Sequence, residues 1–446
     1  MHARRILTVL GLVLGALLAT GSTARAPERQ ILAAAALGQP APLGAWTCDR
    51  IAEPGEPHAI QRLLDSLRAG QTGCLRGGTY TQDAVRFGHG GAPGARIRLT
   101  SYSGERARLL GGIVYVPHGS DHVTVSDVDI DGSASREVTV QVMAADTVFE
   151  RVGVTNERRS SCMILGSNAG YGRAEGTIVR DSRFHDCGEP AAGNQDHAIY
   201  LENAVGTQVV DNLFWNTSAW AIHLYPNARR TTVAHNVIDG NGRGVIFAGD
   251  SRSASSENVV SQNVITNSTV EYNVQGSWRG PVGTGNVARD NCLYNGKMGN
   301  VGSQSGFTAS ANTVADPLYV DRAKRDYRLR PGSPCLAVVG YDTAARLARP
   351  LLGRLRLLLD RRRQGSAVLR GTVTPVPRGT RVTLEVSRGG VWRALARCRV
   401  RAGGRISAPV SRHALPGPTV FVRARADGAQ PSRRAPWRAP APRRTG

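Results

Sequence analysis

The sequence predicts an all-β chain: a parallel β-helix over most of its 446 residues, followed by a small β-sandwich. Three observations predict it. The segments VTVSDVDI (123–130), TVFERVGV (147–154), TIVRDSRF (177–184), QVVDNLFW (208–215), TVAHNVID (232–239), NVVSQNVI (258–265) and NVARDNCL (286–293) repeat one pattern, with a large apolar residue recurring every 24 to 30 residues from Ile130 to Leu293. Each unit holds short runs of alternating β-branched residues bounded by Gly, Asn, Asp and Ser, with no helical period between them, which marks strands rather than helices. A unit this short cannot bury an apolar face alone, so successive units must stack as coils. Between Ser366 and Ala426 the runs AVLRGTV, RVTLEVSRGGVWRALARCRV, GRISAPV and TVFVRARA, with Arg-Gly-Gly as a hairpin signal, suggest the sandwich.

From the N-terminus, residues 1–26 read as a secretory signal peptide. Arg4 and Arg5 precede an apolar stretch, Ile6 to Ala19, that is too short to cross a bilayer, and Ala24-Arg25-Ala26 supplies the small-residue ending. Residues 27–46 form a linker and 47–340 the β-helix. Residues 341–365 form a Leu/Arg-rich linker with a short helix, packed on the end of the solenoid; 366–426 form the small β domain, and 427–446 a disordered Pro/Arg-rich tail. No other segment is long and apolar enough to span a membrane. In an exported chain the cysteines pair by proximity as Cys48 with Cys74, Cys162 with Cys187 and Cys292 with Cys335, leaving Cys398 alone.

Two columns run through the coils. Val128, Val152, Ser182, Asn212, Asn236, Asn263 and Asn291 stand two residues before the apolar stack. Amides at one place in successive coils bond along the stack at the strand spacing of about 4.8 Å, a structural ladder. A second strand aligns CMIL (162–165), AIYL (198–201), AIHL (221–224) and GVIF (244–247). Alternation sends Met163, Leu165, Ile199, Leu201, Ile222, Leu224, Val245 and Phe247 inward. It leaves Ile164, Tyr200, His223 and Ile246 in one outer column and Glu202, Tyr225 and Ala248 in the next. This is the one surface where the register gathers titratable and aromatic groups.

Charge divides the chain. The net charge is +22, yet residues 27–345 hold 29 Lys and Arg against 31 Asp and Glu, while Arg346 onward holds 24 Arg against Asp360, Glu385 and Asp427. A basic module outside the cell suits an anionic cell-wall polymer or acidic polysaccharide. A GC-rich coding preference for Arg over Lys, which occurs only at Lys297 and Lys324, is the competing explanation.

The opening TCDRIAEPGEPHAIQRLLDSLRAGQTGCLRGGTY (47–80), the stretch IRLTSYSGERARLLGG (97–112), the coils, and the closing DPLYVDRAKRDYRLRPGSPCL (316–336) together resemble secreted bacterial right-handed parallel β-helix proteins of the pectin-lyase-like superfamily. The opening is similar to that of the alginate lyase and chondroitinase B group, and the C-terminal segment resembles bacterial immunoglobulin-like modules. The resemblance implies a right-handed solenoid that binds uronate-containing polysaccharide along an outer sheet face. The catalytic patterns of polygalacturonases, pectate lyases and alginate epimerases do not occur here, and Gly88-His89-Gly90 reads as a loop. The expectation is a lyase-like β-elimination, with non-catalytic carbohydrate binding or a surface structural role as the alternative. Elimination needs a base, an acid for the leaving oxygen and a cation for the uronate carboxylate. His223, with an ordinary value near 6.5, is the candidate base, Tyr200 or Tyr225 the donor or else a platform on which sugar stacks, and Arg243 or Arg173 the carboxylate grip. His197, just before its strand, reads as a turn residue beside the site. Asp196 and Glu202 are candidate substrate ligands, or an acid–base pair for hydrolysis if roughly 5–10 Å apart; they also make Ca²⁺ a possible cofactor. The partner expected is polysaccharide rather than nucleic acid, and the chain is expected to act as a monomer.

Overall fold

A computed structural model describes residues 47–102, 105–348 and, beyond them, the strands lying between Leu355 and Arg438. The signal peptide, the linker at 27–46 and most of the Pro/Arg-rich tail lie outside the described residues.

Each coil contributes strands to two parallel sheets, one of 11 strands and one of 17. The coil that begins at Gln208–Val210 shows the plan: a bend at Asp211, the strand Leu213–Trp215, a turn, and the long strand Trp220–Arg229, which leads into Thr232–Ala234 of the next coil. The apolar stack follows the sequence register, with Ile130, Val154, Phe184, Phe214, Ile238, Ile265 and Leu293 in successive parallel pairs. All seven are buried in one continuous core. Burying side chains of this size contributes about 1.5–3 kcal/mol each, which is how coils with no independent core hold together.

The bend has its own chemistry. Asp127, Arg151, Asp181, Asp211, His235, Gln262 and Asp290 all adopt positive φ, between 54° and 60°, a conformation that costs a non-glycine residue about 1–2 kcal/mol. The amide ladder immediately after the bend offsets that strain. Asn212 N–H donates to Asn236 Oδ1, Asn236 N–H to Asn263 Oδ1 and Asn263 N–H to Asn291 Oδ1, at 2.9, 2.9 and 3.0 Å. Each Nδ2 caps a carbonyl of a preceding coil, Asn236 on Val209 and Asn263 on Val233. The ladder continues to Ser182 at one end and Asn312 at the other. A second ladder, Thr231 to Asn258 to Asn286, starts each sheet strand; its two Asn open the aligned segments NVVSQNVI and NVARDNCL.

The N-terminal end is covered. The helix Ala59–Ser66 lays Ile60, Leu63 and Leu64 over the first coil. A Cβ at Gly73 would sit 3.0 Å from Leu63, so glycine allows that close approach. After the last coil, residues 316–348 run back along the flank of the solenoid; of the linker expected on its end, 341–365, the stretch 341–348 lies on this flank instead. Tyr319, Tyr327, Leu329, Cys335, Val339 and Ala344 cover the outward side chains Leu213, Val237 and Val264. Arg346 pairs with Asp181 and Asp211, and Thr343 Oγ1 donates to the His235 carbonyl at 2.6 Å. The apolar outer faces of the coils at 213, 237 and 264 are what draw this segment sideways.

The three expected disulfides are present, Cys48–Cys74, Cys162–Cys187 and Cys292–Cys335, and Cys398 is free. Helix Thr343–Ala348 falls within the expected linker helix, but Leu355–Leu358 beyond it is strand. The C-terminal strands pair antiparallel in a three-stranded and a four-stranded sheet, with Arg388 opposite Val391 at the expected hairpin. Ala435–Arg438, in the segment expected to be disordered, forms an edge strand of the second sheet.

Candidate functional site

The outer columns form as the alternation predicts. Ile164 pairs with Tyr200, Tyr200 with His223 and His223 with Ile246, while the complementary residues from Met163 to Phe247 are fully buried. A register shift after Leu201 sets Glu202 at an irregularity beside Tyr225. The rings of Tyr200, His223 and Tyr225 lie nearly parallel: centroids are 5.3 Å apart for Tyr200–His223, 5.2 Å for His223–Tyr225 and 6.3 Å for Tyr200–Tyr225.

Alternation fails at the entrance to these strands. It assigns His197, Trp220 and Arg243 to the interior, because each stands two residues before an inward Ile or Val. They gather instead around His223: the His197 ring lies 4.3 Å from it and the Trp220 ring 6.2 Å, with the Arg243 guanidinium 5.5 Å over the indole. Trp220 was not among the sequence candidates, although the aligned HAIY, WAIH and RGVI place His197, Trp220 and Arg243 in one column. The indole N–H donates to Asn194 Oδ1 at 2.6 Å, fixing the loop that carries His197.

His197 is therefore no solvated turn residue. It is buried, and its Nε2 lies 2.7 Å from His223 Nδ1. The Trp220 backbone N–H points at His197 Nδ1 from 3.4 Å, so that nitrogen accepts and the His197 proton resides on Nε2, which donates to His223 Nδ1. His223 then carries its own proton on Nε2. Burial, reinforced by the Arg243 charge, pushes His223 down to about 3, and burial holds His197 well below its ordinary value. The expectation of an exposed His223 titrating near 6.5 is corrected on both counts: it is 8 % exposed, neutral, and offers a donor rather than a lone pair.

The other candidates fall into two groups. Tyr200 and Glu202 face the platform half-buried, and burial raises both; the Asn168 backbone N–H partly counters this at Glu202. No ion pair is found for Glu202 among the described residues. Arg243 is held by Glu271 at 2.8 Å, and Arg173 by Asn203 at 3.2 Å and Glu175 at 3.7 Å, so each candidate cation already has a carboxylate. Asp196 is turned away into its loop, accepting from Ser161 Oγ and the Glu189 N–H. The Cys162–Cys187 disulfide anchors that loop below the site.

A family model described as "Periplasmic copper-binding protein (NosD)" matches residues 113–314. No curated protein matches the chain. Among solved structures, an alginate lyase from Paenibacillus sp. str. FPU-7 is similar at 14 % identity over 59 % of this chain and 99 % of its own, with a TM-score of 0.42. A polygalacturonase from Erwinia carotovora ssp. carotovora follows at 12 % identity over 61 % and 97 %, TM-score 0.38. PfbA, a surface adhesin of Streptococcus pneumoniae, is similar at 13 % over 57 % and 84 %, TM-score 0.33. The class defined here is a parallel β-helix with an aromatic outer face.

Copper does not fit the described residues. Among the described residues no group of three or more His, Cys, Asp or Glu is arranged to hold a metal ion, and the two site histidines spend their facing nitrogens on each other. The same holds for Ca²⁺ at Asp196 and Glu202, since both Asp196 oxygens accept hydrogen bonds from the protein.

Proposed function

We propose that this chain is a non-cytoplasmic, carbohydrate-active β-helix protein whose outer face, built on Tyr200, His223 and Tyr225 with Trp220 buried beneath them, grips a polysaccharide. The observation that carries the reading is the near-parallel stack of Tyr200, His223 and Tyr225 across two neighbouring coils. Flat rings present the apolar surface on which sugar rings lie, and convergent polar groups set orientation. The His223 Nε2–H supplies a fixed donor to a sugar oxygen, and Glu202 an acceptor or donor according to its protonation. Three disulfides support an oxidising compartment. No helix among the described residues is long and apolar enough to cross a membrane.

Turnover by β-elimination is the second reading, favoured by two proton-holding groups, Tyr200 and Glu202, on one face. In it the Glu202 carboxylate takes the C5 proton, the bond from C4 to the leaving oxygen breaks, and Tyr200 protonates that oxygen. Purified protein would be screened on alginate, polygalacturonate, chondroitin and hyaluronan, reading binding, absorbance at about 235 nm and reducing ends. Saturable binding that is lost in Tyr200→Ala supports the groove. New absorbance that Glu202→Gln abolishes adds elimination, and absence of binding to every glycan refutes both.

A further inference from the structure

We infer that the aromatic face takes an uncharged sugar, a hexose or an N-acetylhexosamine, against its tyrosines, and that Glu202 turns uronates away. The inference rests on the glycan-binding reading of this face and names the sugar it accepts. The first observation is the composition of the two outer columns. One runs from Ile164 through Tyr200, His223 and Ile246 to Gln275; the other runs from Tyr225 through Ala248 to Ser277, with Glu202 beside Tyr225 at the register shift. His223 is neutral, so across these coils the columns hold one charged side chain, and it is an acid. A face shaped for a polyuronate would place cations there.

The second observation is where the positive charge goes. The Arg243 side chain is 11 % exposed, held by Glu271 at 2.8 Å and laid over the Trp220 ring, so its charge is met beneath the platform. Arg173 is met by Asn203 and Glu175. Arg252 and Arg279 stand exposed on the turns past Gly249 and Trp278, outside the columns. Glu202, by contrast, is half-buried and accepts from the Asn168 backbone N–H, with no ion pair found among the described residues. Burial raises the Tyr200 phenol, and Glu202, Tyr225 and Asp250 push it the same way, as a locally negative field does.

A half-buried carboxylate with one backbone donor discriminates by sign. Sugar hydroxyls and the N–H of an acetamido group donate to it and replace the water it has lost. A uronate would bring a second negative charge into a poorly solvated place, and such like-charge juxtaposition is costly. Tyrosine rings stack on either sugar, so stacking supplies affinity and Glu202 the choice. Chondroitin and hyaluronan alternate each uronate with an N-acetylhexosamine and can seat that uncharged residue on the rings. Polygalacturonate and alginate, uronate throughout, cannot.

The test measures binding of N-acetylglucosamine, hyaluronan and galacturonate hexasaccharides to the full chain as parent, Glu202→Gln and Tyr200→Ala. The parent is expected to bind the galacturonate hexasaccharide at least about tenfold more weakly than the better of the other two, with the gap narrowing as salt screens the charges. Glu202→Gln is expected to raise galacturonate affinity at least about tenfold, a gain that damage to the fold cannot produce. Galacturonate binding by the parent that equals or exceeds the others, or no gain in Glu202→Gln, overturns the inference; if that binding is lost in Tyr200→Ala, the face itself stands. Absence of binding to all three, or binding that Tyr200→Ala leaves intact, refutes the face and this inference with it.

Discussion

The amide corner and the aromatic groove belong to the same coils and use repetition in opposite ways. At the corner one residue type recurs, Asn212, Asn236, Asn263, Asn291 and Asn312, because each amide bonds to the next. On the outer face the register position changes identity at every coil: Ile164, Tyr200, His223, Ile246. A stack gains from identical neighbours, so repetition marks the structural column. A ligand is met by different groups at different heights, so departure from the repeat marks the candidate site.

Breaking the corner should have the largest effect. Asn263→Ala removes an amide that accepts from Asn236 and donates to Val233, Ser261 and Asn291, leaving several buried groups unpaired. Thermal or denaturant unfolding should show a loss of about 2–4 kcal/mol. Asn203→Ala, on the outer side where the amide meets half-exposed Asn227 and exposed Arg173, should cost below about 1 kcal/mol. Equal losses would erase the distinction between the columns.

The histidine pair should register in pH next. His197 and His223 take protons less readily folded than unfolded, so stability contributed by their neutral forms is present above the ordinary value of about 6.5 and is lost as pH falls from there toward about 3. Parent protein compared with His197→Gln/His223→Gln should differ by up to a few kcal/mol in pH dependence over that window, with the variant the flatter. A variant that loses stability on acidification as steeply as the parent would contradict the buried pair.

Smaller effects sharpen the groove. Tyr225→Ala should weaken glycan binding about tenfold while shifting unfolding by less than about 1 kcal/mol, because the ring is half-buried and its work is stacking. Arg173→Ala, whose charge is already met by Glu175, should change affinity by no more than about twofold.

The fold was legible because spacing and alternation report directly on stacking. The apolar column, the Asn ladder and the outward Tyr200, His223 and Tyr225 follow from register, and the three disulfides from proximity. What was hidden lay where register stops. His197, Trp220 and Arg243 sit at strand entrances, where the turn rotates side chains out of strict alternation, so the contact between His197 and His223 was not predicted. The shift of His223 from a base to a buried donor depends on that neighbour. The sideways path of residues 316–348 also escaped the sequence reading, since the apolar outer residues Leu213, Val237 and Val264 look like ordinary strand positions until a partner segment is seen on them.

The most direct test of the central claim is calorimetric titration of the parent and of Tyr200→Ala/Tyr225→Ala with whichever glycan the screen shows to bind. The groove predicts saturable binding by the parent and a loss of about a hundredfold or more in the double variant, with an unchanged unfolding midpoint. Equal affinity in a folded double variant would place glycan recognition elsewhere on the molecule and contradict the site.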